Sequence, residues 1–435
     1  MEINVDIKSH LNSPSTLTPE QAQALEKLNG SGNVFVTGGA GSGKSFLIRH
    51  FLKQAQEAIP VLASTGAAAV LVGGRTFHSF FGLGLLEGGS IATIERNRKN
   101  GRVLKRIREA KTVIIDEVSM LSGVVLNTAE IISRMARDND EPWGGLRIIC
   151  VGDFAQLPPV TKAGAKRDWA FQCEAWSFSQ FASVVLSSNV RTQDNEFLKI
   201  LDLIRWGRVD RTVHDFLNRH LLTEGFNQDP EFTSSAGDAE ATRLCPRRDQ
   251  ADGYNQLRLS LIDEKEQIFP TVFIGDAKSK EALKRNAPVP ELLVLKRFCR
   301  VMLIQNDPMK RWVNGSRGRL LEADESKLVI RLDSGSKINV EPATFSILDA
   351  DGKVVASMVN FPVALAYATT IHKAQGATLD EVWVDLSRLW EPGQAYVALS
   401  RLRTPQGLKV AGWNPQSIIV APEVMRFYEK LGPNV

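Results

Sequence analysis

The feature that most constrains this chain is a glycine-rich loop between a predicted strand and a predicted helix. The apolar stretch Asn33–Thr37 reads as a strand and runs directly into the spacing G-x4-G-K-S. In that context glycines let backbone N–H groups converge on phosphate oxygens, and the following helix N-terminus adds a favourable dipole. The loop therefore predicts a parallel α/β fold with an ATP site. Its predicted ligands are Gly38, Gly39, Ala40, Gly41, Ser42, Gly43, Lys44 and Ser45.

An acidic pair at the end of a second predicted strand would complete the ATP site that begins with this loop. The run Thr112–Ile115 is apolar, and Asp116 and Glu117 follow it at once. We predict that Ser45 and Asp116 hold Mg²⁺ and that Lys44 binds the β and γ phosphates. Glu117 is then placed to activate the attacking water, which favours hydrolysis over nucleotide binding alone.

Two side-chain amides complete the predicted nucleotide site. Gln156 lies beyond a third apolar strand, where its uncharged amide can sense the γ-phosphate, although the same stretch also fits a proline-terminated loop. Gln21 offers a donor and an acceptor to the adenine edge. The segment Leu17–Gln21 also fits a simple helix cap with proline in the first turn, and the residues alone leave both interpretations open.

Composition narrows the class of protein further. The chain has 435 residues, of which 43% are hydrophobic and 23% charged, so a disordered chain, a collagen and a disulfide miniprotein are excluded. No apolar run approaches the roughly 20 residues of a membrane span. The four cysteines form no CxxC pair and the six histidines are scattered, so we predict reduced thiols and no metal site of protein ligands alone. The net charge of +4 says little about partners.

The distribution of apolar, basic and turn-forming residues along the sequence predicts a division of the chain into three parts. Residues 1–186 alternate apolar strands with helical patterns, interrupted at about 82–108 by a basic insertion. A second α/β part comprises 187–296 and 357–435, and 297–356 reads as a small all-β barrel inserted in it. The candidate strands are Asn33–Thr37, Val61–Ser64, Thr112–Asp116, Leu146–Gly152, Ser183–Leu186, Ala241–Cys245, Arg300–Gln305, Gly318–Ala323, Lys327–Leu332, Lys337–Val340, Glu381–Asp385 and Gly407–Ala411.

These motifs, with several others, resemble the Pif-type (petite integration frequency) DNA helicases of superfamily one, B branch. The matches run in family order from Leu17 to about Gly412. Beside the motifs above they comprise Ala63–Ala69, Gly74–Phe80, Asp116–Met120, Gly152–Val160, Thr370–Thr378 and Gln394–Arg401. One departure is Asn189-Val190-Arg191-Thr192, where the family often has glutamine after the arginine. The chain also lacks the long N-terminal extension of eukaryotic members.

The resemblance implies a fold and a set of roles. It implies two RecA-like P-loop domains with parallel sheets, a small wedge insertion in the first and an SH3-like β-barrel insertion in the second. Arg191 and Arg401 match the arginine fingers, which stabilise transition-state charge. Gln375 and Gly376 match ATP-binding positions. The residues implied to bind DNA are Ser64, Thr65, Phe77, His78, Thr370, His372 and Lys373, although core packing is an equally good interpretation of Phe77.

Two basic clusters flank the implied DNA channel. The first lies in the wedge insertion and comprises Arg96, Arg98, Lys99, Arg102, Lys105, Arg106, Arg108 and Lys111. The second flanks the predicted barrel and comprises Lys296, Arg297, Arg300, Lys310, Arg311, Arg317 and Arg319. A charge run is usually a solvated face, but two such runs beside a DNA channel favour phosphate binding.

The expected function is an ATP- and Mg²⁺-dependent DNA helicase that moves 5′→3′ on single-stranded DNA, with the polarity implied by resemblance only. We expect a monomer that engages single-stranded and forked or structured DNA, meets a single-strand-binding protein, and works at the nucleoid in the cytoplasm if the source is bacterial. Two alternatives stay open. One is a RecD-like translocase with weak unwinding, and the other is a nucleotide-gated DNA-binding module without turnover.

Overall fold

A computed structural model describes residues 17–64, 75–84, 86, 88–161, 164–222, 241–285, 287–309, 311–312, 314–348 and 354–432. Within these ranges the chain forms two α/β lobes and a β-rich region attached to the second lobe. None of the described helices has the length and apolar character that a membrane span requires.

The first lobe is built on a six-stranded parallel sheet in the order β3-β2-β4-β5-β1-β6. Its strands are β1 (Val34–Gly38), β2 (Val61–Ala63), β3 (Arg75–Thr76), β4 (Thr112–Asp116), β5 (Arg147–Val151) and β6 (Ala182–Leu186). Its helices are α1 (Pro19–Asn29), α2 (Lys44–Gln54), α3 (Phe77–Phe80), α4 (Gly89–Arg98), α5 (Gly101–Glu109), α6 (Gly123–Arg137) and α7 (Glu174–Ser179). The central strands are continuous apolar runs because helices cover both faces of the sheet.

The basic insertion predicted at about 82–108 is a helical hairpin made of α4 and α5, and it adds no strand to the sheet. Val103 and Ile107 on α5 enter the core of the first lobe. The Asn97 side chain donates to the Gly82 carbonyl at 3.0 Å and ties the hairpin to its base. Asn100 caps α5 by accepting from the Val103 backbone N–H. The hairpin is therefore anchored on one face and presents its turn outward.

The second lobe is a four-stranded parallel sheet in the order β18-β7-β19-β20. Its strands are β7 (Thr242–Cys245), β18 (Ala368–Thr370), β19 (Val382–Leu386) and β20 (Leu408–Trp413). Its helices are α8 (Asn195–Arg205), α9 (Arg211–Arg219), α10 (Arg248–Ser260) and α12 (Gln394–Leu399). The two parallel sheets confirm the predicted α/β class, and every strand predicted for them is present within two residues of its predicted bounds.

The β-rich region begins before the predicted range 297–356 and continues past it. A five-stranded antiparallel sheet in the order β14-β13-β12-β11-β17 is flanked by a three-stranded sheet, β15-β16-β9, and a two-stranded one, β10-β8. The strands are β8 (Gln267–Pro270), β9 (Val272–Gly275), β10 (Leu292–Leu295), β11 (Arg300–Leu303), β12 (Arg317–Ala323), β13 (Leu328–Leu332), β14 (Lys337–Val340), β15 (Ala343–Leu348), β16 (Val354–Asn360) and β17 (Val363–Leu365), with helix α11 (Ala277–Arg285). The predicted bounds were too narrow because pairing partners from both flanks close these sheets.

The last helix, α13 (Pro422–Leu431), returns from the second lobe and packs on the first. Val424 and Tyr428 on this helix are buried in the first-lobe core, beside Trp176 and Phe154. The predicted division assigned these residues to the second part, because sequence position gives no sign of such a return. The end of the chain thus links the two lobes a second time.

Because Val424 is 1% exposed in the first-lobe core, Val424→Ala is expected to destabilise that lobe by about 2 kcal/mol through lost burial and a residual cavity. Denaturant unfolding followed by tryptophan fluorescence measures this, since Trp143, Trp169 and Trp176 lie in the same core. Glu429→Ala, at an exposed position of the same helix, is the matched control and should change little. Equal effects of the two substitutions would show that the helix does not support the first lobe.

Candidate nucleotide and nucleic-acid sites

The glycine-rich loop follows β1 at the carboxyl-terminal edge of the first sheet, as predicted, and α2 begins at Lys44. Gly43 has a φ of +85°, and a Cβ there would lie 2.3 Å from the Gln21 amide nitrogen, so only glycine fits. The Lys44 ammonium donates to the carbonyl oxygens of Gly38 at 2.7 Å and Gly39 at 3.0 Å. Burial lowers the pKa of Lys44, while the nearby carboxylates oppose that shift.

Gln21 is buried against this loop. Its side-chain oxygen accepts from the Thr18 backbone N–H at 3.1 Å, while Thr18 accepts from the Gln21 backbone N–H, which forms a capping box at the start of α1. The amide nitrogen lies 3.5 Å from the Ser42 carbonyl oxygen. Gln21 therefore caps its helix and also borders the phosphate loop. The predicted contact with adenine stays a prediction.

The acidic pair lies at the end of β4, as predicted. The Asp116 carboxylate accepts from the Glu117 backbone N–H at 3.0 Å. Glu117 has a φ of +52°, a left-handed conformation that costs a non-glycine residue of order 1 kcal/mol and is typical of functional sites. Burial, followed by the adjacent Asp116 charge, raises the pKa of Glu117 to about 7. Burial also raises the pKa of Asp116, against the pull of Lys44.

Gln375 of the second lobe reaches across to these residues. Its amide nitrogen donates to the Glu117 carboxylate at 3.0 Å and lies 3.4 Å from the Gln156 amide oxygen. Gln156 itself is 4% exposed, on the loop that follows β5. Gly376, next to Gln375, is exposed and has a φ of +81°. The structure thus brings Glu117, Gln156 and Gln375 together although they come from both lobes.

Two arginines of the second lobe lie beside this cluster. Arg401 is 1% exposed and donates to the Val397 carbonyl at 2.8 Å and to the Ser400 hydroxyl at 2.8 Å. Arg191 donates to the Ser400 carbonyl at 2.6 Å. Burial and then the charge of Arg191 lower the pKa of Arg401 to about 9, with Glu117 acting in the opposite direction. Neither guanidinium makes a salt bridge with a carboxylate among the described residues, although Arg401 is buried and Arg191 is half-buried.

The described residues contain no cluster of three or more His, Cys, Asp or Glu side chains that could hold a metal ion. Ser45, at the start of α2, and Asp116 offer one hydroxyl and one carboxylate. This sparse set of hard oxygen donors suits Mg²⁺, which proteins usually bind through one or two carboxylates together with substrate phosphates. The donor chemistry therefore fits the predicted ion.

A buried network that sequence reasoning missed adjoins the phosphate loop. Asp153, completely buried, accepts from the Arg205 guanidinium and the Tyr428 hydroxyl. In the second lobe, the Tyr396 hydroxyl accepts from the Ala40 backbone N–H of the loop at 2.7 Å. Asp153 lies inside a motif that the sequence analysis singled out. Tyr396 likewise lies inside the Gln394–Arg401 motif, but no role was assigned to it, whereas Arg205 and Tyr428 lie outside every motif and gave no local signal.

The residues predicted to bind DNA in the first lobe divide into two groups. Ser64 follows β2, half-buried, with its hydroxyl 3.7 Å from the Met120 sulfur, whereas Thr65 lies outside the described residues.

Phe77 is completely buried and packs on Phe81, so its ring is not presented for base stacking. The prediction of a stacking role for Phe77 is therefore corrected to core packing. His78, beside it, is half-buried, and burial lowers its pKa, so the ring is neutral near pH 7.

In the second lobe, the predicted DNA residues surround the end of β18. The Thr370 hydroxyl accepts from the Lys373 backbone N–H at 3.1 Å and so organises the turn. Thr370 is 8% exposed, while Lys373 is exposed and His372 is half-buried. Burial lowers the pKa of His372, which leaves a neutral imidazole. This turn and Ser64 both follow the carboxyl-terminal ends of parallel strands, the edge where ligands of open α/β sheets bind.

The two basic clusters differ in how their charges are used. In the barrel cluster, Arg300 forms a bidentate pair with Asp333 at 2.7 and 2.9 Å, and Lys296 is buried and donates to a backbone carbonyl. Arg311 is paired in the same way with Asp307, and Lys310 lies outside the described residues. These three side chains are thus engaged within the protein, and the expectation that the cluster favours phosphate binding stays a prediction.

In the wedge cluster, the side chains nearest the base of the hairpin are also engaged. Arg106 donates to the Ser79 carbonyl and Arg108 to the Ala136 carbonyl. The residues at the turn of the hairpin, Arg98, Lys99 and Arg102, are exposed. The hairpin thus concentrates its available positive charge at its tip.

Comparison with known proteins agrees with this geometry. The sequence model of the PIF1-like helicases matches residues 16–215. The ATP-dependent DNA helicase Pif1 of Bdellovibrio bacteriovorus is 52% identical over 415 residues, which cover 95% of this chain and 92% of that protein. The chain belongs to the PIF1-like helicase family.

Solved structures of the family share the whole architecture. The Bacteroides sp Pif1 in complex with ADP-AlF4 has a TM-score of 0.81 at 28% identity, covering 95% of this chain and 97% of that one. The Bacteroides Pif1 in complex with ADP-AlF3 and single-stranded DNA has a TM-score of 0.67 at 28% identity, covering 96% and 97%. The two RecA-like domains implied by the sequence resemblance are thus confirmed as the family fold.

Because burial raises the pKa of Glu117 from its ordinary value of 4.5 to about 7, the folded protein loses stability as the pH rises through that interval, and the full loss is present above it. Glu117→Gln is therefore expected to increase the free energy of unfolding by on the order of 2 kcal/mol at pH 8, with a smaller gain at pH 5. Thermal denaturation at both pH values measures the difference. The exposed Glu429→Gln is the control. A gain that does not grow between pH 5 and pH 8 would contradict the burial of an ionised Glu117.

Proposed function

We propose that the chain is an ATP-dependent DNA helicase that hydrolyses ATP between its two α/β lobes and translocates 5′→3′ on single-stranded DNA. The family assignment supports the helicase activity, and relatives of known structure have been solved with ADP-AlF4 and with single-stranded DNA. The polarity rests on the family resemblance. We propose that the protein acts as a monomer on single-stranded and forked DNA, together with a single-strand-binding protein. Because the similar Pif1 of Bdellovibrio bacteriovorus is a bacterial protein, we further propose that it works in the cytoplasm, at the nucleoid.

One observation carries this proposal, namely the buried Arg401, which lies near Glu117, with the half-buried Arg191 beside it. A buried cation without a carboxylate partner is costly, because it loses hydration and gains no ion pair. The γ-phosphate of ATP would supply the missing negative charge. Since the arginines belong to the second lobe and the phosphate loop to the first, hydrolysis would require the lobes to close.

Each residue of the site then has a task. Lys44 turns from its two loop carbonyls to the β and γ phosphates. Ser45 and Asp116 would hold Mg²⁺, which would supply positive charge to the phosphates. Glu117, with a pKa near neutrality, accepts the proton of the attacking water. Gln156 contacts the γ-phosphate. Gln21 binds adenine, and Gln375 and Gly376 contact the nucleotide from the second lobe.

Single-stranded DNA would lie across the carboxyl-terminal edges of both sheets. Ser64 and Thr65 in the first lobe and Thr370, His372 and Lys373 in the second are proposed to bind its phosphates and sugars, with His78 beside them. The neutral imidazoles of His78 and His372 would act as hydrogen-bonding and stacking groups and not as cations. DNA that contacts both lobes favours their closure and thereby couples binding to hydrolysis.

Lys44→Ala tests the core of the proposal. It is expected to reduce DNA-stimulated ATP hydrolysis by on the order of 10³, because the loop backbone stays while the charge on the transferring phosphoryl group loses its partner. Phosphate release with and without single-stranded DNA is the measurement, and circular dichroism checks the fold. Lys53→Ala, at an exposed site on the same helix, should behave like the wild type. Full turnover in Lys44→Ala would remove the proposed ATP site.

Substitutions in the helical hairpin test whether the protein unwinds duplex DNA or only translocates on single strands. Neutralising Arg98, Lys99 and Arg102 together to glutamine is expected to reduce strand displacement on a forked duplex at least about tenfold, while single-strand-stimulated hydrolysis changes less than twofold. The reason is that these charges lie at the hairpin tip, outside the cleft between the lobes. Substrates with 5′ and 3′ tails test the polarity in the same assay.

The matched control neutralises exposed basic residues on other helices, namely Lys53, Arg426 and Lys430. Equal losses in both assays would assign the hairpin a general role in DNA binding or folding. Efficient hydrolysis by the wild type without strand displacement would favour the single-strand translocase. Absence of turnover altogether would favour the nucleotide-gated DNA-binding module.

A further inference from the structure

The loop that carries Gln156 begins at a carboxylate with an unusual number of partners. Asp153 is completely buried, and one of its oxygens accepts from the Arg205 guanidinium at 3.1 Å, the Tyr428 hydroxyl at 3.0 Å and the Ala155 backbone N–H at 3.1 Å. The other oxygen lies 3.4 Å from the Gln156 amide nitrogen. The carboxylate therefore joins the Gln156 loop to two other parts of the chain.

Tyr428 is the first of these parts, and its hydroxyl is fully used. It donates to Asp153, accepts from the Phe154 backbone N–H at 3.0 Å, and lies 2.8 Å from the Thr37 hydroxyl. Thr37 immediately precedes the first glycine of the phosphate loop. The Tyr428 hydroxyl oxygen thus connects the start of the phosphate loop with the Gln156 loop.

Arg205 is the second part, and it comes from the other lobe. It ends α8, whose apolar side chains Phe197, Ile200 and Ile204 belong to the second-lobe core. Its ion pair with Asp153 is buried, with side-chain exposures of 8% and 0%. Burial would raise the pKa of Asp153, but Arg205 and Lys44 outweigh it and hold that pKa below its ordinary value. Separating a pair of this kind leaves two uncompensated buried charges, so the lobes should keep it when they move.

The position of the Gln156 amide follows from these contacts. Its nitrogen faces the Asp153 carboxylate and its oxygen faces the Gln375 amide nitrogen, which also binds Glu117. A primary amide nitrogen has two N–H groups, so a single bond to Asp153 leaves one N–H for a phosphate oxygen. Rotation of the amide would place its oxygen against the carboxylate. Asp153 therefore sets which atom of Gln156 is available.

We propose that Tyr428 and Arg205 are positioning residues for ATP hydrolysis, which fix the Asp153 carboxylate and through it orient the Gln156 amide toward the γ-phosphate. This inference rests on the proposed function, since it assigns Gln156 a contact with that phosphate. It gives the last helix a role in the nucleotide site that is exerted through Asp153.

The test is a double-mutant cycle between Tyr428→Phe and Gln156→Ala. The phenylalanine keeps the ring in the first-lobe core and removes only the hydroxyl. Two quantities are measured: kcat and KM of DNA-stimulated hydrolysis, and the ratio of Kd for ADP to Kd for a non-hydrolysable ATP analogue. Tyr428→Phe should lower kcat by about tenfold or more and lower the ratio, while KM changes less than twofold. In the Gln156→Ala background it should change neither quantity further.

Phe427→Leu is the matched control, because Phe427 packs on Phe154 from the same helix without a polar contact. It should lower the melting temperature and leave the Kd ratio unchanged. The proposal is overturned if Tyr428→Phe costs the same factor with or without Gln156, or if Phe427→Leu reproduces its effect on the ratio. The binding ratio needs no turnover, so a wild type that binds but does not hydrolyse would reject the proposed function without rejecting the positioning role.

Discussion

Charge burial in the cleft between the two parallel sheets is the constraint on which the rest of the structure depends. The cleft gathers three buried charges, Asp153, Arg205 and Arg401, and four half-buried ones, Lys44, Asp116, Glu117 and Arg191. Each needs a partner, since an isolated ion in a low-dielectric environment is destabilising. The Arg205–Asp153 ion pair and the hydrogen bond from Gln375 to Glu117 join opposite lobes, so the same electrostatics that stabilise the fold also couple the two lobes.

The cleft contains one pair of opposite charges that neutralise each other and one pair of arginines that have no carboxylate partner among the described residues. Arg205 and Asp153 form a closed ion pair across the lobes, supported by the Tyr428 hydroxyl. Arg191 and Arg401 instead donate to neutral oxygens of their own lobe and repel each other. A satisfied pair resists separation, whereas an unsatisfied one gains from any anion that enters. This difference suits an enzyme whose lobes stay joined at the Arg205–Asp153 pair and close on a phosphate group at the Arg191–Arg401 side.

Local patterns predicted most of the fold and the first-lobe half of the site. Thr112–Asp116 was predicted with the bounds that the structure shows, because a short apolar run closed by Asp116 has few other interpretations. The phosphate loop was identified by its spacing together with the strand before it and the helix after it. Tyr428 and Arg205 could not be found in this way, since their contacts depend on how α13 and α8 meet the first lobe in three dimensions. Phe77 shows the reverse error, because its motif implied a DNA contact whereas its neighbours bury it in the core.

The returning helix also explains why the site can be strained and still fold. Glu117 is held in a left-handed conformation with a carboxyl group whose pKa is raised to about 7, and both features oppose stability. The aromatic contacts of α13 with the first-lobe core, through Phe427 and Tyr428, supply compensating burial next to the same loops. Stability that comes from the end of the chain can therefore support a site assembled near its beginning. This arrangement makes the last helix part of the enzyme's working structure and not a terminal appendage.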